Sequence, residues 1–213
     1  MRALRVLLAV LLAGWALLSL YVVHWFRVRH GRGGPFPVGE AWTLVHPLRR
    51  WWHPVRPTLE RFRLKPGDTV LELGPGPGYF AVEAGRMVGP EGRVLCLDIQ
   101  PPMVAALRQR LEEQHVANAH PMVGDAVNLP LPDSSLDAAF LVAVLGEIPD
   151  RPRAVAELRR VLKPGSVLSF METLTDPDYM FQDSLRDLCR ASGFQFLDQS
   201  PRLLGYTMCF SAP

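Results

Sequence analysis

The chain has 213 residues, of which 48% are hydrophobic, 21% charged and 9% aromatic. This composition excludes a disordered chain, a collagen-like fibre and a disulfide scaffold, because it supplies enough apolar side chains for one buried core. Residues 1–66 carry 11 Lys and Arg against 2 acidic residues, whereas residues 67–213 carry 12 against 19. A basic amino-terminal part on an acidic body favours anionic lipid over nucleic acid as a partner.

The amino-terminal segment is long and apolar enough to cross a membrane. Between Arg5 and Arg27 lie 21 residues without a formal charge, Val6 to Phe26. As a helix they would extend about 31 Å, which matches the hydrocarbon core of a bilayer. A cleaved signal peptide is the alternative, but the apolar run is longer than usual and no A-x-A-like cleavage site follows it. We therefore predict an N-terminal transmembrane helix within a membrane anchor of residues 1–30.

Residues 31–63, which we call the collar, follow the anchor. The collar begins with a glycine-rich break, and its prolines predict two short helices. One interpretation places it at the membrane surface, with aromatic rings at headgroup depth and arginines on phosphates. The other packs one face of it on the domain that follows, and the two interpretations are compatible. The side chains concerned are Trp42, Trp51, Trp52, Arg49, Arg50, Arg56, Arg61 and Arg63, and the prolines are Pro47, Pro54 and Pro57.

From residue 64 to residue 213, short apolar runs alternate with amphipathic segments. The alternation predicts right-handed crossovers and an α/β domain, in which helices cover both faces of a mostly parallel, doubly wound sheet. Ligands of such sheets bind beyond the carboxyl ends of the strands. The predicted strands cover residues 69–73, 93–98, 119–124, 136–144 and 166–172, followed by two more near the carboxyl terminus.

A glycine-rich loop follows the first predicted strand, with the sequence Gly74-Pro75-Gly76-Pro77-Gly78. Glycines let a backbone turn sharply and approach a ligand closely, and the next helix directs its first N–H groups at that ligand. Dinucleotide enzymes use a related G-x-G-x-x-G loop, but Tyr79 occupies the position of its third glycine here.

Carboxylates follow the second and third predicted strands. Asp98 comes 20 residues after Gly78, where it could accept both hydroxyl groups of a ribose. An ordinary acid in a strand-end turn is the alternative. Asp125 could accept the exocyclic amine of an adenine, with the N–H of Ala126 donating to a ring nitrogen.

Four segments resemble, in order, the successive motifs of class I S-adenosylmethionine-dependent methyltransferases of type 11. They are VLELGPGPGYF, LCLDIQPPMV, GDAVNLPLPDSSLDAAF and LRRVLKPGSVLSF. The subgroup they most resemble contains quinone-biosynthesis methyltransferases. The resemblance covers roughly residues 58–213 and implies a Rossmann-like sheet of seven strands, the last one reversed, with S-adenosylmethionine as cofactor.

The same resemblance implies a role for each cofactor-binding residue. Glu72 and the loop from Gly74 to Gly78, including Pro75 and Gly76, would hold the methionine part of S-adenosylmethionine. Asp98 would hold the ribose, and Ile99 would pack on the adenine. Asp125 and Ala126 would bind the amino edge of the adenine.

Methyl transfer from a sulfonium is an in-line displacement, so catalysis depends mainly on holding the acceptor about 3 Å from the methyl carbon in a pocket without water. A general base is needed only when the acceptor is a hydroxyl or a similar acid. Glu147, after the fourth strand, is the predicted base, and Glu172, His46 and His53 are further candidates. Each could instead be a solvated carboxylate or an interfacial histidine. Members of the subgroup often carry a histidine near the position of Glu147, so its absence argues against a histidine base.

The three cysteines lack C-x-x-C spacing, so we predict buried free thiols and no metal site. The predicted protein is a single-pass membrane methyltransferase that contacts lipid through residues 1–63. Its acceptor would be a lipophilic quinone or phenol, a lipid, or a thiol. Because S-adenosylmethionine is cytosolic, we expect the catalytic domain on the cytoplasmic side. Two alternatives remain: a nicotinamide-dependent Rossmann oxidoreductase and a non-catalytic S-adenosylmethionine-binding membrane protein.

Overall fold

The chain divides into two compact units, Met1–Gly33 and Gly34–Pro213. The computed structural model describes residues 13–17, 19–21, 34–51, 53–202 and 204–213. In the first unit, residues 13–17 and 19–21 are helical, and the Trp15 and Tyr21 side chains are exposed. Within the described ranges, no helix combines the length and apolarity that crossing a membrane requires. Most of the predicted anchor helix, Val6 to Phe26, lies outside those ranges, and the three-part division at residues 30 and 63 stays a prediction.

A seven-stranded sheet forms the centre of the second unit. The strands are β1 Thr69–Leu73, β2 Arg93–Asp98, β3 Ala119–Val123, β4 Leu136–Val142, β5 Leu162–Thr173, β6 Gln195–Arg202 and β7 Gly205–Ser211. Their order across the sheet is β3-β2-β1-β4-β5-β7-β6. Neighbours from β3 to β5 pair in parallel, whereas β7 is antiparallel to both β5 and β6. The predicted Rossmann-like, mostly parallel sheet with a reversed last strand is confirmed.

Helices cover both faces of this sheet. They are α1 Val55–Arg61, α2 Ala81–Val88, α3 Pro101–Glu113, α4 Arg151–Val161 and α5 Gln182–Ala191, with short 3-10 helices at Val38–Val45, Pro47–Trp51 and Leu145–Glu147. Successive residues of a strand point to opposite faces. Accordingly, Val70 of β1 packs in a core cluster with side chains of α1, α2 and α3, whereas Leu71 packs with those of α4 and α5.

Two predicted boundaries of secondary structure were wrong. The described part of the collar contains three short helices rather than two, which Pro47 and Pro54 separate, and Pro57 does not break α1 as predicted. Pro57 is the third residue of that helix, and N–H groups in a first turn have no partner within the helix. β5 begins at Leu162 rather than at residue 166, because Leu162 pairs with Leu136 before a register shift in the β4–β5 ladder.

The collar packs on the domain through α1. Leu59 and Phe62 are fully buried, and the Phe62 ring lies 5.4 Å from the ring of Phe140 in β4. The packing interpretation of the collar is therefore confirmed for α1. Trp42 and Trp51, by contrast, are 65% and 80% exposed.

Arg160 of α4 holds the loop that leads from β3 to β4 and begins with Asp125 and Ala126. The Glu157 and Asp133 carboxylates raise the pKa of Arg160 above its ordinary value. One guanidinium thus ties the loop that carries two predicted cofactor residues to α4. It donates to the carbonyl oxygens of Leu129 (3.0 Å) and Leu131 (2.8 Å) and to the carboxylates of Asp133 (2.6 Å) and Glu157 (2.7 Å).

We expect Arg160→Met to lower the free energy of unfolding by about 2–3 kcal/mol, because it removes several charge-assisted hydrogen bonds while keeping the aliphatic stem. Urea titration monitored by circular dichroism measures this loss. Arg159→Met is the matched control: Arg159 is exposed, and its replacement should cost no more than about 0.5 kcal/mol. Equal effects of the two substitutions would contradict the role given to Arg160.

Candidate active site

The carboxyl ends of β1, β2 and β3 form one edge of a crevice. β1 lies between β2 and β4, at the point where the strand order reverses, and this point is where open α/β sheets bind ligands. Leu73 at the end of β1 pairs with Leu97, and Asp98 at the end of β2 pairs with Val123. The loops after these strands therefore begin side by side, and they carry the predicted residues Gly74, Pro75, Gly76, Gly78, Ile99, Asp125 and Ala126.

The glycine loop requires its glycines for both conformation and space. Gly74 and Gly78 have φ angles of 69° and 87°, in the left-handed region that side chains disfavour. A Cβ on Gly74 would lie 2.4 Å from Cγ2 of Val144, and one on Gly78 would lie 2.4 Å from Cδ1 of Leu107. The loop is therefore pressed between the β4 end and α3, and no larger residue fits in either position.

Asp98 connects the end of β2 to this loop. One carboxylate oxygen accepts a hydrogen bond from the Gly76 N–H at 3.1 Å, and the other accepts from the Gln100 N–H at 2.9 Å. Burial raises the pKa of Asp98, and the N–H groups of Gln100, Gly76 and Ile99 oppose that effect. The Ile99 side chain is 52% exposed, so its apolar surface is free to pack on a planar ring.

Glu72 lies in β1 with 3% of its surface exposed. Burial, and then the charge of Asp98, raises the pKa of Glu72 to about 8, so this carboxyl is protonated near neutral pH. Within the described residues, its buried Oε2 has no hydrogen-bond partner. A buried acceptor without a donor is uncommon. The residue thus offers a place for a donor from outside the described residues, such as the ammonium that the family resemblance expects beside Glu72.

Asp125 and Ala126 form a tight turn directly after β3. The Asp125 carboxylate accepts from the Val127 N–H at 3.1 Å, and the backbone carbonyl of Asp125 accepts from the Asn128 N–H at 3.1 Å. Asp125 is exposed and Ala126 is buried. The turn fixes the direction of the carboxylate at the β3 end of the crevice.

Two glutamates lie near the carboxyl ends of β4 and β5, and they differ in burial and in hydrogen bonding. Glu147 follows β4, is half-buried, and accepts a hydrogen bond from the Phe36 N–H at 3.0 Å. Glu172 in β5 is 2% exposed, and one of its oxygens accepts from the Met180 N–H at 3.3 Å. Its other oxygen is buried and unpartnered among the described residues. Burial raises the pKa of Glu172 to about 8, so it holds a proton near neutral pH.

The collar covers the crevice. The Phe36 N–H binds Glu147 on the β4 side, and the Phe36 carbonyl accepts from Gln100 Nε2 on the β2 side at 3.0 Å. Leu44 Cδ1 lies 3.4 Å from the position of a Cβ on Gly76. A single residue of the collar thus bridges the two sides of the crevice, and an apolar side chain lies over the glycine loop.

Tyr79 joins the collar to the glycine loop. The guanidinium of Arg49 lies 4.8 Å from the centre of the Tyr79 ring and donates to the Leu44 carbonyl at 2.6 Å. The Tyr79 hydroxyl donates to the backbone carbonyl of His53 at 2.9 Å. Burial is the main cause that lowers the pKa of Arg49.

The two collar histidines lie in different surroundings. His53, a further candidate base, is 4% exposed. Burial, followed by the charges of Arg49 and Arg202, lowers the pKa of His53 to about 3, so the imidazole is neutral. The His46 ring is exposed and packs edge-on against the Trp42 ring at 6.2 Å.

The cysteines are buried and free, as predicted. Burial raises the pKa of the thiols of Cys96, Cys189 and Cys209, which keeps them protonated. In the part of the chain that the structure describes, no group of His, Cys, Asp and Glu could hold a metal ion.

Sequence reasoning missed the residues that close the crevice. The Phe36 N–H bonds to Glu147, 111 positions away along the chain, and the Gln100 side chain bonds to the Phe36 carbonyl, 64 positions away. Val144, in the segment after β4, lies against Gly74 in the loop after β1. No local pattern marks such pairs, because their roles come from the packing of the collar and of the β4 end.

The chain is similar in sequence to known methyltransferases. Residues 71–170 match a family model described as "Methyltransferase domain". The chain is 34% identical over 134 residues to the ubiquinone/menaquinone biosynthesis C-methyltransferase UbiE of Vibrio campbellii, covering 61% of this chain and 51% of that protein. It is 26% identical over 157 residues to the arsenite methyltransferase of Halobacterium salinarum, covering 65% and 40%. The chain therefore spans about half, or less, of the length of these relatives.

The fold is similar to that of solved methyltransferases. The crystal structure of a SAM-dependent methyltransferase from Aquifex aeolicus superimposes with a TM-score of 0.80 at 21% identity, covering 84% of this chain and 100% of that one. The matched residues 71–170 run from β1 into β5 and contain the glycine loop, Asp98 and Asp125. Residues 71–170 therefore match a methyltransferase domain in sequence, and the domain that contains them has the fold of that methyltransferase structure.

Proposed function

We propose that the chain transfers a methyl group from S-adenosylmethionine to a lipophilic small molecule, which is a quinone or phenol, a lipid, or a thiol. The collar is the observation that carries the proposal. It lies outside the matched methyltransferase residues, covers the crevice with Phe36 and Leu44, and exposes Trp42 and Trp51 on its surface. An apolar cover of this kind suits an acceptor that enters from a membrane, and relatives named for quinone biosynthesis support the same class.

The residues at the β1, β2 and β3 ends would hold the cofactor. Glu72 would accept from its ammonium group, Asp98 would accept from its ribose, Ile99 would pack on its adenine, and Asp125 with Ala126 would bind the adenine edge. The cofactor supplies an activated methyl group on a sulfonium. The collar and the glycine loop then exclude water and hold the acceptor in line.

A proton must leave the acceptor when it is a hydroxyl or a similar acid. Glu147 is half-buried and already accepts from Phe36, whereas Glu172 is buried, protonated near neutral pH and has an unpartnered oxygen among the described residues. Glu147 follows β4, and Glu172 lies near the carboxyl end of β5. If Glu172 is the base, the rate should therefore rise with pH up to about 8.

The membrane part of the proposal concerns residues 1–63. The anchor would hold the domain at a bilayer, with the domain on the cytoplasmic side where the cofactor is available. The proposal is supported by the uncharged segment Val6 to Phe26 and by the excess of basic residues before residue 67.

A nicotinamide-dependent oxidoreductase has less support. Tyr79 occupies the position of the third glycine of a dinucleotide loop, and its ring and hydroxyl are used in contacts to Arg49 and His53. The family match to a methyltransferase domain points the same way.

An acceptor screen tests the proposed function. The full chain, purified in a neutral detergent, is incubated with S-adenosylmethionine labelled on the methyl group and with prenylated quinols, alkylphenols, phospholipids or alkyl thiols. We expect label in at least one lipophilic acceptor and little in its short-chain, water-soluble analogue. Transfer only to water-soluble acceptors would contradict the proposal.

Cofactor binding should release protons from Glu72. At pH 7 the free carboxyl is protonated because its pKa lies at about 8, and a bound ammonium favours the carboxylate. We expect S-adenosylhomocysteine to release about one proton at pH 7 and to bind more tightly as the pH rises from 6 to 8. Calorimetry in buffers of different ionisation enthalpy measures the release. Glu72→Gln should abolish it, whereas the exposed control Glu91→Gln should not; proton release that survives Glu72→Gln would rule out this assignment.

Glutamine substitutions separate the two candidate bases. With a phenolic acceptor, Glu147→Gln should lower kcat about a hundredfold if Glu147 is the base, while the affinity for S-adenosylhomocysteine stays unchanged. Glutamine can still accept from the Phe36 N–H, so the collar contact is kept. A wild-type rate would remove Glu147 as the base. Glu172→Gln would then be expected to lower kcat and to abolish the rise in rate with pH up to about 8.

Deleting residues 1–33 should release the protein from the membrane fraction without loss of S-adenosylhomocysteine affinity. The reason is that the second compact unit, Gly34–Pro213, contains the whole candidate site. Sedimentation of membranes with and without high salt measures the distribution. A shortened chain that still sediments in high salt would show that the anchor is not the main membrane attachment.

A further inference from the structure

A second cavity lies outside the crevice, between the collar and helices α2 and α3. It has a volume of about 430 Å³, which is large enough for a small ligand. Arg50 and Arg56 of the collar line one side, and Arg86 and Arg110 line the other. None of these four residues belongs to the candidate cofactor site.

The charges of this cavity are not balanced. Glu83 is the one acidic residue among its described lining residues, and it pairs with Arg56 at 2.8 Å and with Arg86 at 3.8 Å. Within the described part of the chain, the side chains of Arg50 and Arg110 donate no hydrogen bond, and Nε of Arg110 is buried without a partner. Two guanidinium groups therefore face the cavity without a protein anion, and such a cavity favours an anionic ligand.

The other collar arginines are already bound within the protein. Arg61 and Arg63 both pair with Asp198 of β6, and Arg49 lies on the Tyr79 ring. These three side chains have partners within the domain, so we assign the expected phosphate contact to the remaining two. Arg50 and Arg56 are the collar arginines that line the cavity.

The surroundings indicate that the anion is attached to an apolar molecule. Val45, Val55 and Val82 form apolar walls next to the arginines. The two 3-10 helices that supply Val45 and Arg50 also carry the exposed rings of Trp42 and Trp51. Tryptophan rings at a protein surface next to arginines are typical of contact with lipid headgroups.

We propose that this cavity binds the phosphate of an anionic phospholipid headgroup, with its guanidinium groups on the phosphate and its valine walls against the glycerol and the first acyl carbons. The site deepens the proposed membrane contact of residues 1–63 by assigning it to a defined cavity that includes two arginines of the methyltransferase domain. It requires neither the anchor helix nor any particular methyl acceptor. Binding would turn the collar toward the membrane from which a lipophilic acceptor enters.

The test titrates the full chain in a neutral detergent with short-chain lipids that stay monomeric, and follows tryptophan fluorescence. We expect dihexanoyl phosphatidylglycerol to bind at least about tenfold more tightly than dihexanoyl phosphatidylcholine, and more tightly than inorganic phosphate. The double substitution Arg50→Gln and Arg110→Gln should weaken phosphatidylglycerol binding by at least about tenfold, because each arginine near anionic lipid contributes about 1 kcal/mol. Arg108→Gln, an exposed position on the same helix as Arg110, should change it less than about twofold.

Each other outcome contradicts the proposal. Equal binding of the two lipids would exclude an anion-selective site, and wild-type affinity in the double variant would exclude these arginines. Inorganic phosphate that binds as tightly as phosphatidylglycerol would make the cavity a site for a free anion. Affinity for S-adenosylhomocysteine, measured on every variant, separates this test from the proposed methyl transfer. If the double variant also loses affinity for S-adenosylhomocysteine, the single variant Arg50→Gln replaces it in the test, because Arg50 is exposed and its substitution should not disturb the fold. Unchanged binding of phosphatidylglycerol by that single variant would reject the site.

Discussion

The hydrogen bond from the Gly76 N–H to the Asp98 carboxylate joins the end of β1 to the end of β2, and the crevice depends on it. The bond sets the conformation of the glycine loop, while Val144 and Leu107 fix the two sides of that loop by contact. Asp98 is itself buried, and its other carboxylate oxygen accepts from the Gln100 N–H, which holds the carboxylate in place at this edge. The charge of Asp98 also helps to keep Glu72 protonated. One carboxylate therefore shapes the loop and controls the proton on the neighbouring side chain, and a cationic cofactor would reverse the second effect.

The collar covers the candidate site, although it lies outside the residues that match a methyltransferase domain. The matched methyltransferase residues, 71–170, contain the loops that would hold a cofactor, but the cover of the crevice comes from residues before them. Phe36 bonds to Glu147 on one side and to Gln100 on the other, so the cover is attached at both edges of the site. Tyr79 and Arg49 attach it to the glycine loop as well. The same segment lines the basic cavity with Arg50 and Arg56, so the proposed contact with a membrane and the cover of the site would involve one element.

Short-range patterns in the sequence predicted the sheet and the strand-end residues, because strands, glycine loops and the acids after them are local features. The reversal of β7 came from a family resemblance, and no periodicity could have indicated it. Features that depend on tertiary packing were missed. Pro57 lies in the first turn of α1 and does not break it, and Leu162 joins β5 because Leu136 is its neighbour across the sheet. The burial of His53 and the pairing of Arg61 with Asp198 likewise depend on where α1 packs, and the collar sequence alone does not contain that information.

We propose above all that the crevice at the β1 and β2 ends binds S-adenosylmethionine through Asp98. Calorimetric titration of the full chain with S-adenosylhomocysteine, with NAD as a parallel ligand and Asp98→Ala as the test variant, examines it most directly. Binding of S-adenosylhomocysteine alone, weakened at least about tenfold by Asp98→Ala, is the predicted result. Binding of NAD, or an affinity for S-adenosylhomocysteine that Asp98→Ala leaves unchanged, would contradict the account.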